Sequence, residues 1–550
     1  MEITRRAFTG GALTLALSNQ LAGPAFAQDS RRAAALGAIR AYGEAHLQHF
    51  RLPGLTLGVT TPDGFSTVMN FGYANADAKT PITPDTLFQV GSISKLMNAA
   101  VLHQFVQEGK LRLTDRISDL LPTIPLPPGN TIEVQHLLDH VAGLPGDAPA
   151  FPEGGLWTAY ASGAHWHYSN TGYEILGKLN EHFAGKPLSR ILKDRLFLPL
   201  GMSRSKGAII GEDRTLYAQG YEAADQEPFA LGVPLAPAAW VDVTFGAGDV
   251  ASTADDMTRL LRSIANAAQG RGGLGLSGEL GRAMTVHAVP TDSRDMAYGN
   301  GFMHVGAHGR SYLHHTGGMV SFSSSFHVDV ASGVGAFASS TISAFAEYRP
   351  RLLTRFAVDA LTDAAAGRPL PSAPPLDAPL ANGGLYVGTY EGPSGSFEVR
   401  AGTPLTIVQG GVSAPLQQWD GEVFRTTHPR FRDFSLMFDR KANIVNAASW
   451  GPDTFVRAGS TARLPASDPQ LARLAGRYIN DSPWNGLAPV VERGGRLWAG
   501  TETPMTRVAQ NMWRIGDENW SPERGSFANF IDGRPQTFIL SGVRYERHDV

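Results

Sequence analysis

The segment Phe88-Gln89-Val90-Gly91-Ser92-Ile93-Ser94-Lys95 carries the motif around which the rest of the chain can be interpreted. Within it, Ser92 and Lys95 form an S-x-x-K element, which places a hydroxyl and an amine one helical turn apart. An amine in that position can take the serine proton when burial or a neighbouring charge lowers its pKa. Alone the element is a weak signal, and it makes Ser92 a candidate nucleophile with Lys95 as its candidate base.

A second S-x-x-K element, Ser203-Arg204-Ser205-Lys206, has to be distinguished from the first by its surroundings. The residues after Lys95 show the apolar spacing of a helix and then a glycine: Ala99, Leu102, Phe105, Val106 and Gly109. This pattern sets Ser92 at a helix N-terminus, where backbone amides stabilise developing negative charge. Residues 207–211 show no comparable pattern. Ser92 is therefore the predicted nucleophile, and Ser203 is predicted to have no catalytic role.

Two further elements follow in the chain. Tyr168-Ser169-Asn170 stands just before a helical pattern that ends at Gly185, and His315-Thr316-Gly317-Gly318 leads into a predicted strand around Phe322. Taken alone, the first is more simply a helix cap, and the second a tight turn with a solvated histidine. Their order after the S-x-x-K element favours one shared site over both simpler interpretations.

In these residues the chain resembles the serine β-lactamase and penicillin-binding-protein superfamily, in the branch that holds class C β-lactamases, DD-carboxypeptidases, D-aminopeptidases and related esterases. The resemblance covers about residues 30–365. It includes three other segments, which are Ile132-Glu133-Val134-Gln135-His136-Leu137-Leu138-Asp139-His140, Ala142-Gly143-Leu144 and Leu200-Gly201-Met202. It implies an α+β fold, with an antiparallel sheet flanked by helices and a helical subdomain, and a serine hydrolase that forms an acyl-enzyme.

The resemblance also implies a role for each matched residue. The serine attacks a carbonyl while the lysine and tyrosine shuttle its proton, which gives the catalytic set Ser92, Lys95 and Tyr168. The asparagine binds the substrate amide and the late strand forms one wall of the cleft, which gives the substrate-binding set Asn170, His315, Thr316 and Gly317. The backbone amides of Ser92 and Gly318 would form the oxyanion hole.

His315 departs from the β-lactamase pattern, which usually has lysine at this position. Together with Tyr-Ser-Asn, it looks more like the DD-carboxypeptidase and D-aminopeptidase members. A histidine of ordinary pKa, about 6.5, would lose its charge between pH 6 and 8. We therefore expect carboxylate-bearing substrates to bind less well as the pH rises through that range.

The composition excludes several other classes. The chain has 550 residues, 43% of them apolar and 18% charged, which indicates an ordinary folded protein. Its net charge of −3 offers no basic excess for nucleic acid, and the absence of cysteine removes thiolate and disulfide chemistry. It has neither G-x-S-x-G nor H-E-x-x-H. His165, His167, His314 and His315 lack a carboxylate at ligand spacing, so we expect no metal and no cofactor.

Residues 1–27 have the features of an export signal. Thr4-Arg5-Arg6-Ala7-Phe8 resembles a twin-arginine motif, an apolar stretch follows, and Ala25-Phe26-Ala27 forms a small-x-small cleavage site. No later stretch has 18 consecutive apolar residues, so no transmembrane segment is expected. We therefore expect a periplasmic or secreted protein.

The order of patterns predicts one α+β domain over residues 28–366. Its elements are a helix over 30–50, a hairpin of Leu55–Val59 with Ser66–Phe71, strands over 322–330 and 334–339, and a last helix over 349–365. Phe322, Phe326, Val328 and Val330 should share one face of the late strand. Helices enclosed between early and late strands indicate that the two ends of the domain share a sheet.

A proline-rich linker over residues 367–379 ends this domain, and strand patterns follow. Two barrel-like β domains are predicted, over 380–458 and 470–550. They look like a repeat because Gly388-Thr389-Tyr390 and Gly476-Arg477-Tyr478 start them alike. Trp419 and Phe424 follow the first start at distances near those of Trp498 and Trp513 after the second.

The leading interpretation is an exported serine hydrolase that forms an acyl-enzyme on amides or esters, preferably D-amino-acid-containing peptides. Its small substrate would be handled as in a DD-carboxypeptidase or D-aminopeptidase. A β-lactamase or esterase of the same family is the alternative. A protein of another class, which holds or senses a ligand in the same cleft without turnover, stays open as well.

Overall fold

The computed structural model describes residues 24–224, 229–346, 348–376, 380–464 and 466–548. Positions 1–23 of the expected export signal lie outside these described residues, as do positions 377–379 of the expected linker. Within the described ranges, no helix combines the length and the apolar character needed to cross a membrane.

The N-terminal part of the chain forms an antiparallel sheet with helices on both sides. The strands are β1 Gly54–Thr60, β2 Ser66–Asn75, β3 Thr80–Pro81, β4 Phe88–Gln89, β5 Tyr221–Ala223, β6 Leu235–Pro237, β7 Ala251–Ser252, β8 Val289–Pro290, β9 Met296–Gly299, β10 Phe302–Ala307, β11 Arg310–Gly318, β12 Ser323–Asp329 and β13 Gly335–Ser340. The helices are α1 Pro24–His49, α2 Ser94–Gln107, α3 Ile117–Leu120, α4 Val134–Leu138, α5 Asn170–Ala184, α6 Leu188–Leu192, α7 Leu198–Leu200, α8 Ala254–Ala268, α9 Gly278–Val286 and α10 Arg351–Ala365.

The main sheet has the order β3-β2-β1-β13-β12-β11-β10-β9-β8. β1 pairs with β13, with Leu57 opposite Ala338, so the first and last strands of the domain are neighbours. This confirms the expected α+β fold with a shared sheet.

The central strands are buried on both faces because helices cover each side of the sheet. Phe326 and Phe337 pack into a core with α2 and α8, whereas Ala336 and Ala338 pack with Leu353 of α10. Period-two alternation of the side chains explains the division. The prediction that Phe322 shares a core with Phe326 and Val328 is wrong, because Phe322 precedes β12 and packs against Phe88 in a separate cluster.

The His315 motif lies on a different strand from the one predicted, because it does not lead into the strand around Phe322. It is the last part of β11 itself, antiparallel to β12, with Thr316 opposite Ser325.

The C-terminal part forms two closed eight-stranded barrels. The first contains β14 Gly388–Gly392, β15 Gly395–Arg400, β16 Leu405–Gln409, β17 Val412–Asp420, β18 Val423–Thr426, β19 Leu436–Lys441, β20 Ile444–Trp450 and β21 Asp453–Arg457. After α11 Pro469–Ala472, the second contains β22 Gly476–Ile479, β23 Leu487–Glu492, β24 Leu497–Ala499, β25 Thr503–Ala509, β26 Met512–Ile515, β27 Arg524–Ile531, β28 Arg534–Leu540 and β29 Val543–Arg547. Closure pairs the first strand with the last in each barrel and removes exposed sheet edges.

The two barrels share details as well as strand number. Tyr390 and Tyr478 lie on the first strand of each, and each hydroxyl donates to the carbonyl four residues earlier, at 2.8 and 2.7 Å. Phe424 and Trp513 both lie buried on the fifth strand. The expected match of Trp419 with Trp498 is wrong, because these residues lie on the fourth and the third strand respectively.

Candidate active site

The predicted nucleophile lies on a tight turn between β4 and α2. Gly91 has a φ of +56° and begins a 3-10 turn that runs into α2, with Ser92 half-buried at its start. A Cβ on Gly91 would lie 2.7 Å from the backbone nitrogen of Gly318. Glycine is therefore needed both for the positive φ and for the close approach of the two backbones. This approach brings the two predicted oxyanion-hole residues, Ser92 and Gly318, close together in the cleft.

Lys95 is fully buried beneath Ser92, and its amine makes three short contacts. Nζ donates to Ser92 Oγ at 3.0 Å, to Asn170 Oδ1 at 2.6 Å and to the Ala247 carbonyl at 2.8 Å. Burial lowers the pKa of Lys95 to about 7, against the opposing effect of nearby carboxylates. A substantial fraction of the amine is therefore neutral near pH 7 and able to accept the Ser92 proton.

Tyr168 lies across the same pair of groups. Its ring centroid is 4.9 Å from Lys95 Nζ, and its hydroxyl interacts with the Ser92 hydroxyl. Desolvation raises the pKa of Tyr168 above its ordinary value, and the contact with Ser92 offsets this only in part. The phenol is therefore protonated near neutral pH and can donate or relay a proton, while Lys95 is the better base.

The two roles considered for this segment, a helix cap and a cleft residue, belong to different side chains, Ser169 and Asn170. Ser169 is the N-cap of α5, since its Oγ accepts from the Gly172 amide at 3.0 Å. The Asn170 side chain is therefore available to the cleft. Besides accepting from Lys95, it donates from Nδ2 to Asp147 Oδ1 at 2.6 Å.

The end of β11 forms the opposite wall. β10 pairs only with residues 310–314 of β11, so residues 315–318 keep one backbone edge towards the cleft. His315, Thr316 and Gly318 line this cleft together with Ser92, Tyr168 and Asn170. The structure thus brings all the predicted site residues together, with Gly317 held between Val90 and Ser324 behind the wall.

His315 is buried rather than solvated, with 1% of its surface exposed. Its Nδ1 lies 2.6 Å from the Thr316 carbonyl, so Nδ1 carries the hydrogen, and Nε2 accepts from the Tyr298 hydroxyl at 3.2 Å. Desolvation, followed by the charge of Lys95, lowers the pKa of His315 to about 3. The expectation that His315 titrates between pH 6 and 8 is therefore wrong, because the ring is neutral throughout that range.

The rival S-x-x-K element has a different environment. Ser203 lies in an exposed turn, and Lys206 makes an ion pair with Asp213 at 3.2 Å. The histidines considered for a metal also have other contacts: His165 stacks on Trp520, His167 contacts Glu523, and His314 stacks on His327.

Two carboxylates near Lys95 were missed by sequence reasoning. Asp147 lines the cleft, whereas Asp249 is fully buried behind it, with Oδ1 accepting from Asn98 Nδ2 at 3.3 Å. Burial raises the pKa of Asp249 to about 8. Neither residue belongs to a recognisable motif, so only the fold shows that they lie near Lys95.

The second barrel also contributes to the cleft, whose volume is about 820 Å³. Residues 483–486 of the loop between β22 and β23 line it, together with Leu487 at the start of β23. Glu523 accepts from the Gly146 amide at 2.7 Å and contacts His167 Nε2 at 2.9 Å. Trp157 Nε1 donates to the Pro522 carbonyl at 2.8 Å. The barrel therefore holds Gly146, Trp157 and His167, all of which precede Tyr168 in the chain.

Comparisons with known proteins identify the family and the fold. A family described as Beta-lactamase matches residues 38–358. A β-lactamase of Pseudomonas fluorescens is 31% identical over 193 residues, which are 33% of this chain and 53% of that protein. The chain spans about half the length of the curated relatives it matches.

Solved structures show the same fold. The octameric penicillin-binding protein homologue from Pyrococcus abyssi is 21% identical with a TM-score of 0.54, covering 77% of this chain and all of its own. The D-amino acid amidase from Ochrobactrum anthropi SV3, complexed with L-phenylalanine, is 25% identical with a TM-score of 0.51. That match covers 60% of this chain and 99% of the amidase chain.

Proposed function

Because the chain belongs to the β-lactamase family, we propose that it is a serine hydrolase that uses Ser92 to form an acyl-enzyme from amide or ester substrates. The observation that carries the proposal is the fully buried Lys95 amine, 3.0 Å from the Ser92 hydroxyl. An isolated buried lysine is costly and rare, and a lowered pKa next to a hydroxyl is the arrangement a general base requires.

The reaction follows from these positions. Neutral Lys95 accepts the Ser92 proton as Oγ bonds to the carbonyl carbon, and the amides of Ser92 and Gly318 stabilise the resulting oxyanion. Collapse of this intermediate breaks the bond to the leaving group, which takes the proton from Lys95 through the Tyr168 hydroxyl. Water then attacks the acyl-enzyme, with Lys95 again the base, and releases the acid and free Ser92.

We propose D-amino-acid-containing peptides as substrates, in the manner of a DD-carboxypeptidase or D-aminopeptidase. Two features support this over a β-lactamase: the neutral His315 stands where β-lactamases usually have a lysine, and a barrel loop lines the cleft. An esterase would use the same residues. The export features of residues 1–27 support a periplasmic or secreted site of action.

The test is covalent labelling of the mature chain by a fluorophosphonate, combined with turnover of D- and L-aminoacyl amides, D-Ala-D-Ala peptides, a chromogenic cephalosporin and short esters. Ser92→Ala should lose both labelling and turnover, whereas Ser203→Ala, the matched control, should keep both. Labelling without turnover of any substrate would favour the ligand-holding alternative. Unchanged labelling of Ser92→Ala would refute the proposal.

A further inference from the structure

The carboxylate of Asp147 is exposed at the cleft and connected to the catalytic amine. Asn170 bridges the two groups, with Nδ2 donating to Asp147 and Oδ1 accepting from Lys95. The carboxylate and the amine therefore lie one amide group apart. Among the described residues, Asp147 makes no ion pair with an arginine or lysine within 4.0 Å.

The backbone around Asp147 is held on both sides, so its carboxylate has a defined position. The Gly146 amide donates to Glu523 at 2.7 Å, and the Gly146 carbonyl accepts from the Asn170 amide at 2.7 Å. On the other side, the Ala148 carbonyl accepts from the Thr171 hydroxyl at 2.6 Å. Asp147 is thus a fixed anionic group rather than a side chain on a loose loop.

Charge is distributed unevenly along the cleft. The Asp147 carboxylate lies at the Asn170 end, whereas the Arg349 guanidinium lies near Gly318 and is held by the carbonyls of Ala344 and Tyr348. Glu222, Arg351 and Arg425 also line the cleft. Next to Asn170, the Asp147 carboxylate favours a cationic substrate group.

We propose that Asp147 determines specificity by binding an ammonium group on the acyl part of the substrate, so that the enzyme prefers aminoacyl amides and esters whose α-amino group is free. This rests on the acyl-enzyme chemistry proposed for Ser92. An α-ammonium group is separated from the scissile carbonyl carbon by a single carbon atom, and two side chains, Lys95 and Asn170, connect Ser92 with Asp147. Acylation of the amine removes its charge and leaves Asp147 without a cation to bind.

Binding of such a group also favours catalysis. Asp147 stabilises the charged form of Lys95 and raises its pKa. A substrate ammonium paired with Asp147 offsets that effect and adds its own repulsion, so both interactions shift Lys95 towards the neutral base. The preferred substrate thereby helps to activate the site.

The experiment measures binding without turnover, by calorimetric titration of the Ser92→Ala protein with alaninamide and with N-acetylalaninamide, each as both enantiomers. The free amine should bind roughly 10- to 100-fold more tightly in at least one enantiomeric series. Adding Asp147→Asn should abolish the preference, whereas Asp147→Glu should retain part of it. Glu153→Gln is the control, because it removes the same charge from a strongly exposed position on the same loop.

Equal binding of the two amides, a preference that survives Asp147→Asn, or no binding of either amide would overturn the inference. Thermal denaturation of each variant shows whether it is folded. If Asp147→Asn has a folding defect, the preference for the free amine is tested with the Asp147→Glu protein instead. Failure of the proposed function looks different. In that case the fluorophosphonate does not label wild-type Ser92, while the calorimetric preference for the free amine can still be present.

Discussion

Replacing Lys95 by arginine tests the central claim that a neutral amine is the base. Lys95 is surrounded by three acceptor atoms and no solvent, and burial brings its pKa to about 7. At pH 7 about half of the amine is then neutral, and at pH 6 about a tenth. At the ordinary lysine pKa, only about one molecule in a few thousand would be neutral at pH 7. Arginine stays protonated at every usable pH.

We therefore expect Lys95→Arg to lower kcat/KM by at least about a thousandfold, nearly as much as Lys95→Ala. In the wild type, kcat/KM should rise with pH and level off above about pH 7 to 8, because a lowered pKa makes the neutral form available from there upwards. The assay is kcat/KM from pH 5 to 9, together with the rate of fluorophosphonate labelling of Ser92. A Lys95→Arg protein with most of the wild-type rate, or a wild-type profile without a rise near pH 7, would refute the reasoning.

Three further changes test the surroundings of this base. Tyr168→Phe should lower kcat by about a hundredfold or more while the fluorophosphonate still labels Ser92 slowly, because the change removes the proton relay but leaves the base. A kcat equal to that of the wild type in steady-state assays would exclude the relay. Burial raises the pKa of Asp249 above its unfolded value, so its contribution to stability is lost as the pH rises from about 4 to 8. Asp249→Asn should therefore raise Tm above that of the wild type, and this gain should be a few degrees larger at pH 8 than at pH 5. An equal gain at both pH values in calorimetry would contradict this. Glu523→Ala should raise KM several-fold, because it releases the Gly146 amide. Glu523→Gln keeps a hydrogen-bond acceptor and should have a KM close to that of the wild type. Identical kinetics for the two variants would show that the barrel contact does not position the cleft.

The sequence predicted the parts of the site that depend on neighbouring residues. The position of Ser92 at the start of a helical segment follows from the apolar spacing after Lys95, all within one short stretch of sequence. Likewise, Ser169 could be identified as a possible cap because capping is a local interaction. Such features can be predicted from the sequence because they depend on local interactions, which few contacts with distant parts of the chain can override.

The parts that were missed depend on contacts across the fold. Glu523 meets Gly146 across 377 positions of sequence, and no local pattern marks either residue. The titration of His315 was predicted wrongly because its burial depends on Tyr298, which reaches it from β9 on the far side of β10. The sequence pattern anticipated neither the position of His315 on β11 nor its desolvation, because both depend on contacts between strands.

The neutral state of His315 connects the catalytic amine with the charge of the substrate. A lysine at this position would bring a second cation towards Lys95 and would favour an anionic ligand, whereas the His315 ring is held neutral by burial and by its contact with Tyr298. With the wall neutral, the ionisable groups in contact with Asn170 are the Asp147 carboxylate and the Lys95 amine, whose pKa is lowered. A substrate ammonium placed there meets one carboxylate and no opposing charge from the strand. The replacement of lysine by histidine and the presence of Asp147 therefore favour the same class of substrate, one that carries a positive charge beside the scissile carbonyl.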